Sequence, residues 1–264
     1  MWVAICAASL VFQTYQLVGT PANAALVAFV FCATLCSYNF HYLLGSAYQQ
    51  SDFFANAIHH KLSNLLAMMA GLAGALALFT KAAIPGRYLL LSVLLTAAYS
   101  LPLYPLKKLA FIRRAGFIKT LLLAFTWMYV TAWLPLAQMG AGLSVLHILL
   151  LCKRFLFMLM LCILFDNRDV SVDKIKGLAS LATALSPKQL RWLVGIVFIL
   201  LFILNFMLGN YGLTVGQVVA LQLSLLSTLL VYFYALKKQG YIFYYFVVDG
   251  MMVLMTLLTT IASI

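Results

Sequence analysis

Glutamate is absent from this chain, and five aspartates carry all of its acidic side-chain charge: Asp52, Asp166, Asp169, Asp173 and Asp249. Charged residues of both signs make up only 8% of the 264 residues, where a soluble domain is nearer about a quarter. That shortage excludes a soluble globular fold. The five cysteines (Cys6, Cys32, Cys36, Cys152 and Cys162) form no C-x-x-C pair, and no histidine stands at metal spacing beside them. Neither a disulfide framework nor a zinc site is expected, and thiols within apolar segments are expected to be buried and free. Met1–Val18 lacks a basic leading region and runs straight into a second apolar segment, so no cleavable signal peptide is expected.

What the chain has in quantity is apolar surface: 66% hydrophobic residues and a mean hydropathy of +1.07. Several segments each supply the roughly 20 apolar residues that a helix needs to cross a bilayer. Helices satisfy their own backbone groups in lipid, so the expected fold is all-α: a polytopic integral membrane protein, a bundle of about nine transmembrane helices. The nine spans read as 1–18, 22–45, 62–80, 87–104, 116–137, 143–165, 189–209, 213–236 and 241–263. Thr20-Pro21, Pro85-Gly86, Pro105, Gly140 to Gly142 and Gly209 to Gly212 punctuate them. No soluble domain fits between them, so residues 1–264 form one transmembrane domain.

The formal net charge of +12 would suit nucleic acid, but the cations lie in short connections between apolar segments. Membrane topology accounts for that placement, and no nucleic-acid partner is expected. Thirteen cations hold or border the connections after even-numbered spans, from Lys61 through Lys107, Lys108, Arg113, Arg114 and Lys119 to Lys237 and Lys238. The opposite side has two, Lys81 and Arg87. The positive-inside rule then places the N-terminus and the even connections in the cytoplasm and the C-terminus outside.

Asp166, Asp169 and Asp173 fall within eight positions of one another at the cytoplasmic end of the sixth span. At about 100° per residue they share an arc of roughly 60° on a helix. Like charges on one stripe repel unless a cation sits among them. Two readings follow. Such carboxylates can hold Mg²⁺ against a diphosphate, whose oxygens and water complete the octahedron. Alternatively, a solvated helix end pairs them with Arg168, Lys174 and Lys176. An EF-hand loop is excluded, because its glycine and terminal glutamate are missing. Tyr104, Lys107, Lys108, Arg113 and Arg114 form a basic stretch after the fourth span, suited either to an anionic headgroup or diphosphate or to anchoring the topology.

Lys153 and Arg154 fall near the middle of the sixth span, where a cation costs about 2.5–3.5 kcal/mol on insertion scales. Arg154 either lines the cavity of the acidic stripe or is satisfied by backbone carbonyls. Asp249, inside the ninth span, is either a cavity acid or a hydrogen-bond partner for Asn or Tyr on a neighbouring helix.

The run D-x-x-D-x-x-x-D-x-x-x-G from Asp166 to Gly177, together with Tyr104-Pro-Leu-Lys-Lys108, resembles the UbiA superfamily of intramembrane prenyltransferases. Asp169 and Asp173 fit the D-x-x-x-D core of that family's second acidic motif, and Tyr104 to Lys108 its Y-x-x-x-K stretch. The first motif, N-x-x-x-D-x-x-x-D, is degenerate: Asn39 stands, but Leu43 and Ala47 occupy the two aspartate positions. Asp52, 13 residues beyond Asn39, is the acid available to fold back in their place. His41, His59 and His60 nearby match Mg²⁺ poorly and read as interfacial residues.

The resemblance implies Mg²⁺ held by Asp166, Asp169, Asp173 and Asp52, with Asp169 and Asp173 catalytic. It implies a donor polyprenyl diphosphate contacted by Asn39, Tyr104, Lys107, Lys108 and Arg154, and transfer to an aromatic or other acceptor in a bacterial inner membrane. An alternative is a catalytically inactive relative that binds a prenyl or lipid diphosphate. A transporter is the weakest class, since neither an internal repeat nor paired broken helices are found.

Overall fold

Segments without Gly or Pro keep a helix going even where they turn polar, and this sets the helix lengths here. The computed structural model describes residues 1–48, 54–100, 116–140, 142–175, 180–237 and 239–264. In chain order these form α1 (Trp2–Val18), α2 (Ala24–Tyr48), α3 (Phe54–Leu78), α4 (Gly86–Ser100) and α5 (Gly116–Met128). A π-helical segment π1 (Tyr129–Trp133) then leads into α6 (Leu134–Gln138) and α7 (Val145–Ile175). After α8 (Leu181–Ala184), α9 (Pro187–Gly209) and α10 (Val215–Ala235), a second π segment, π2 (Phe243–Val248), runs into α11 (Gly250–Ile261). No strand occurs among the described residues.

The protein is thus all-helical over the described residues and is built as a multi-pass membrane protein. Seven helices are long and apolar enough to cross a membrane. Trp2–Val18 and Gly86–Ala98 are apolar but shorter, and these two account for the difference from the nine spans expected. The other departures have one cause. The third span was expected from 62 and begins at Phe54; the sixth was expected to stop at 165 and continues to Ile175. Neither added stretch contains a helix breaker. The acidic stripe therefore rides on an unbroken helix.

Local capping follows the sequence. Ser186 accepts from the Gln189 amide while Gln189 reaches back to Ser186, with Pro187 at the first turn of α9; Thr214 and Gln217 do the same for α10. Gly19 ends α1 in the left-handed conformation (φ 71°).

α1 and α7 form the centre of the bundle. Of the Val145–Val170 window 61% is buried, against 6% for Lys61–Leu78 in α3, which lies at the periphery on α2. Small residues let α2 and α3 approach closely. A Cβ on Gly71 would come 2.7 Å from the Cys32 carbonyl oxygen, and one on Gly74 2.6 Å from Cys32 Sγ. A side chain at Gly71 would meet backbone and force the helices apart, and one at Gly74 would displace the Cys32 thiol, which matters in lipid, where close packing drives helix association. All five cysteines are free, but only Cys6 and Cys162 are buried as expected; Cys32 and Cys36 are half-buried and Cys152 is exposed.

A polar hub joins the central helices. Gln13, fully buried on α1, donates to the Met255 carbonyl and Thr259 Oγ1 (3.2 Å each) and accepts from Arg154 Nη2 at 2.9 Å. Arg154 Nη2 also reaches the Leu10 carbonyl and Thr14 Oγ1, both at 3.2 Å. Pro135 has no N–H to offer the carbonyl one turn before it, that of Thr131. Thr14 Oγ1 donates to that carbonyl at 2.8 Å, so α1 repairs the break that Pro135 makes. Lys153, buried beside Arg154, contacts Met255 Sδ at 3.2 Å.

Candidate functional site

Four helix ends come together on one side of the bundle: the C-terminal ends of α2 and α7, the N-terminal end of α5, and the start of the last span around Tyr241. They enclose a cavity of about 350 Å³. Asp166, Asp169 and Asp173 all line it, so the stripe expected from their spacing is present and faces one space. Lys119 and Arg168 supply cations to the same wall, and Met158, Leu161 and Met252 make its apolar part.

The three carboxylates have different surroundings. Asp166 Oδ2 accepts from Thr120 Oγ1 at 2.6 Å and from the Leu181 amide at 3.3 Å, tying α7 to α5 and to the first turn of α8. Asp169 is held by Arg168 through both oxygens, Nε to Oδ1 and Nη2 to Oδ2, each at 2.7 Å. The Arg168 guanidinium also lies over the rings of Phe165 and Tyr244, at 5.1 and 5.2 Å. A planar cation lying against two adjoining rings and bonded by its fork is fixed in place. The pairing with Arg168 considered from sequence is therefore realised for Asp169. Asp173 lies one turn further out on the cavity wall.

A second cavity of about 110 Å³ continues from the first, sharing Tyr38, His41, Leu123 and Trp127 with it. It runs inward along α2 to Thr34, about 10 Å from His41 at 1.5 Å per residue. Ser37, Thr96, Thr126 and Thr131 line it together with Ala7 and Val130. Both π segments border these spaces, π1 through Val130 and Thr131 and π2 through Tyr245. A π turn inserts one extra residue and re-aims the side chains after it, and such turns occur often at functional sites.

Two expected donor contacts lie elsewhere. Arg154 is not on either cavity wall; it is 2% exposed and bonded to α1 through one backbone carbonyl, Leu10, and two side chains, Gln13 and Thr14, so the carbonyl alternative is met only in part. Asn39 Nδ2 donates to the Leu35 carbonyl of its own helix at 2.7 Å, and the cavity is lined instead by its neighbours Tyr38, His41 and Tyr42. A helix shows one face to a cavity, and Asn39 sits on another. His41, expected to be an interfacial residue, stands where the two cavities meet. Asp52, Tyr104, Lys107, Lys108 and Gly177 lie outside the described residues.

Asp249 follows π2 directly, and its amide closes the last π turn on the Tyr244 carbonyl at 3.2 Å. It lines the larger cavity at 8% exposure. No hydrogen bond reaches its carboxylate from the described residues, so the expected alternative of a structural partner on a neighbouring helix is not the arrangement found. Tyr42 and Tyr241, whose hydroxyls stand 3.4 Å apart, and Tyr245 stacked on Tyr241 form the adjoining wall.

Among the described residues, no three His, Cys, Asp or Glu side chains converge as a closed metal centre. Mg²⁺ does not require one: it takes one or two carboxylates and completes its shell with phosphate and water. All-oxygen donors facing an open cavity fit such an ion. Compared with known proteins, the chain matches no family model and no curated protein.

Proposed function

We propose that the protein is a UbiA-like membrane prenyltransferase, which moves a polyprenyl group from an allylic diphosphate to an aromatic or other acceptor with Mg²⁺. The observation that carries this reading is a single cavity in which three carboxylates and two cations stand at helix ends beside an apolar wall. Phosphate chemistry belongs at the charged end, and an isoprenoid chain belongs among the apolar helices. Asp169 and Asp173 would hold the ion with Asp166, and by resemblance Asp52, in the sequence between α2 and α3, would complete the set. Bound there, Mg²⁺ would neutralise charge on the departing diphosphate. Lys119 and Arg168 add fixed positive charge at the same wall, and Tyr104, Lys107 and Lys108 extend it by resemblance.

In this reading α1 and α4 also cross the membrane, giving nine spans, with the cavity mouth and N-terminus in the cytoplasm of a bacterial cell. The bilayer is the protein's other partner. A cysteine at position 211, in Tyr211→Cys, is expected to react with an impermeant maleimide from outside intact cells; labelling from the cytoplasmic side alone would reverse the orientation.

A second reading is a family member that binds a diphosphate lipid without turnover. Leu43 and Ala47 at the aspartate positions and the engagement of Asp169 by Arg168 favour it. One experiment separates the two: purified protein in nanodiscs with Mg²⁺, labelled prenyl diphosphates and a panel of phenolic and quinone-precursor acceptors. Donor binding is expected to weaken at least about tenfold with EDTA and in Asp173→Ala, the size of one charge-assisted contact. Binding with product supports the transferase, and binding without product supports the second reading. Donor affinity indifferent to both changes sinks the two together.

A further inference from the structure

An acid inside a membrane protein that touches nothing is costly unless it has a task. Asp249 is in that position: more than nine-tenths buried, open to the cavity, and without a hydrogen-bond donor among the described residues. Its charged neighbour within electrostatic reach is Arg168, and that guanidinium is already committed to both oxygens of Asp169. The cavity thus contains two kinds of carboxylate. Asp166, Asp169 and Asp173 stand together along the end of α7, whereas Asp249 comes from the last span, which also brings Tyr241, Tyr245 and Met252 to the cavity. The π turn before it fixes its direction, since an α-helical register would rotate every residue from Asp249 onward by about 100°.

We propose that Asp249 is the proton acceptor of the transfer reaction, an inference that rests on the transferase reading. The C–O bond of the donor breaks and its electron pair leaves on the diphosphate. The allylic carbon then bonds to a ring carbon of the acceptor, leaving a cationic ring with one proton too many at that carbon. That proton passes to the Asp249 carboxylate, and the C–H electron pair restores the aromatic ring. The protonated acid returns its proton to water in the open cavity. A base for this step must be unpaired, on the acceptor's side of the leaving group and separate from the carboxylates that serve the diphosphate. Among the described residues Asp249 has no donor and belongs to a different helix from the three carboxylates of α7, and on this inference the acceptor sits beside it in the larger cavity, which it lines.

The test uses the full chain in nanodiscs with labelled donor and the acceptor that wild type uses best. Asp249→Asn keeps the shape and removes the basic oxygen. Transfer is expected to fall about a hundredfold, the lower range for loss of a general base. Donor binding should stay within twofold. Diphosphate release should continue, with the cation captured by water as the free prenol. Asp249→Glu restores part of the transfer. Unchanged transfer in Asp249→Asn overturns the inference and leaves the transferase reading standing. Loss of donor binding in the same variant also overturns it, since the residue would then belong to the binding site or to the fold. A wild type that transfers to no acceptor removes the reading and the inference together.

Discussion

Gln13→Leu is expected to lower the stability of the protein by about 3 kcal/mol, the upper range for hydrogen bonds to a charged group. Gln13 is the buried acceptor that comes closest to Arg154, at 2.9 Å, and it also links α1 to α11 through Met255 and Thr259. Leucine has similar volume, so packing is retained while the bonds are lost. Arg154 Nη1 is already buried without a partner among the described residues, so they give the guanidinium no reserve to draw on. Removing the charge as well should reverse most of the loss, because a buried ion without its partners costs more than an apolar replacement. Gln13→Leu with Arg154→Met is therefore expected to be more stable than Gln13→Leu alone, by equilibrium unfolding in SDS–micelle mixtures. Simple additivity of the two single changes would mean that the residues do not act as one unit.

Two substitutions at Asp166 are expected to separate its structural role from its chemical one. Asp166→Asn keeps an oxygen for Thr120 and the Leu181 amide but loses the charge; Asp166→Ala loses both. If Asp166 contributes to the diphosphate site, each should reduce transfer by about a thousandfold, the range for removing one transition-state electrostatic contact. Their stabilities should differ. Asp166→Ala removes the acceptor of both the Thr120 hydroxyl and the Leu181 amide and is expected to cost about 2 kcal/mol more than Asp166→Asn. Transfer that is normal in Asp166→Asn and impaired in Asp166→Ala would make Asp166 a clamp between α5, α7 and α8 and nothing further. Donor binding measured beside stability distinguishes these outcomes.

Composition and the length of the apolar segments were enough to call an all-helical membrane protein, because runs of roughly 20 apolar residues span a bilayer as helices, whereas barrel strands need only about 10. Periodicity was enough to place Asp166, Asp169 and Asp173 on one face, since that follows from helix geometry alone. The glycine and proline punctuation located most helix ends within a few residues. It failed at Phe54 and Ile175, where polarity was taken for a boundary although no residue there breaks a helix.

What the sequence could not supply is which face of each helix meets which neighbour. Asn39 and Arg154 read as donor contacts, yet Asn39 bonds within its own helix and Arg154 is consumed by α1. Tyr38, His41 and Tyr245 gave no signal above ordinary aromatic and interfacial residues, but packing turns them into cavity wall. Gln13 and Thr14 were detectable only as polar residues in an apolar run, a hint that names no partner.

Local sequence thus determined the helices, their apolar character and the acidic stripe, since each depends on residues within a turn or two along the chain. Tertiary packing alone decided that Asp249 faces the same cavity as that stripe with no donor to its carboxylate among the described residues, and that Arg168 is spent on Asp169. Such facts depend on rotations and contacts between helices far apart in the chain. No hydrophobic gradient between lipid and protein records those contacts in the pattern of a membrane helix.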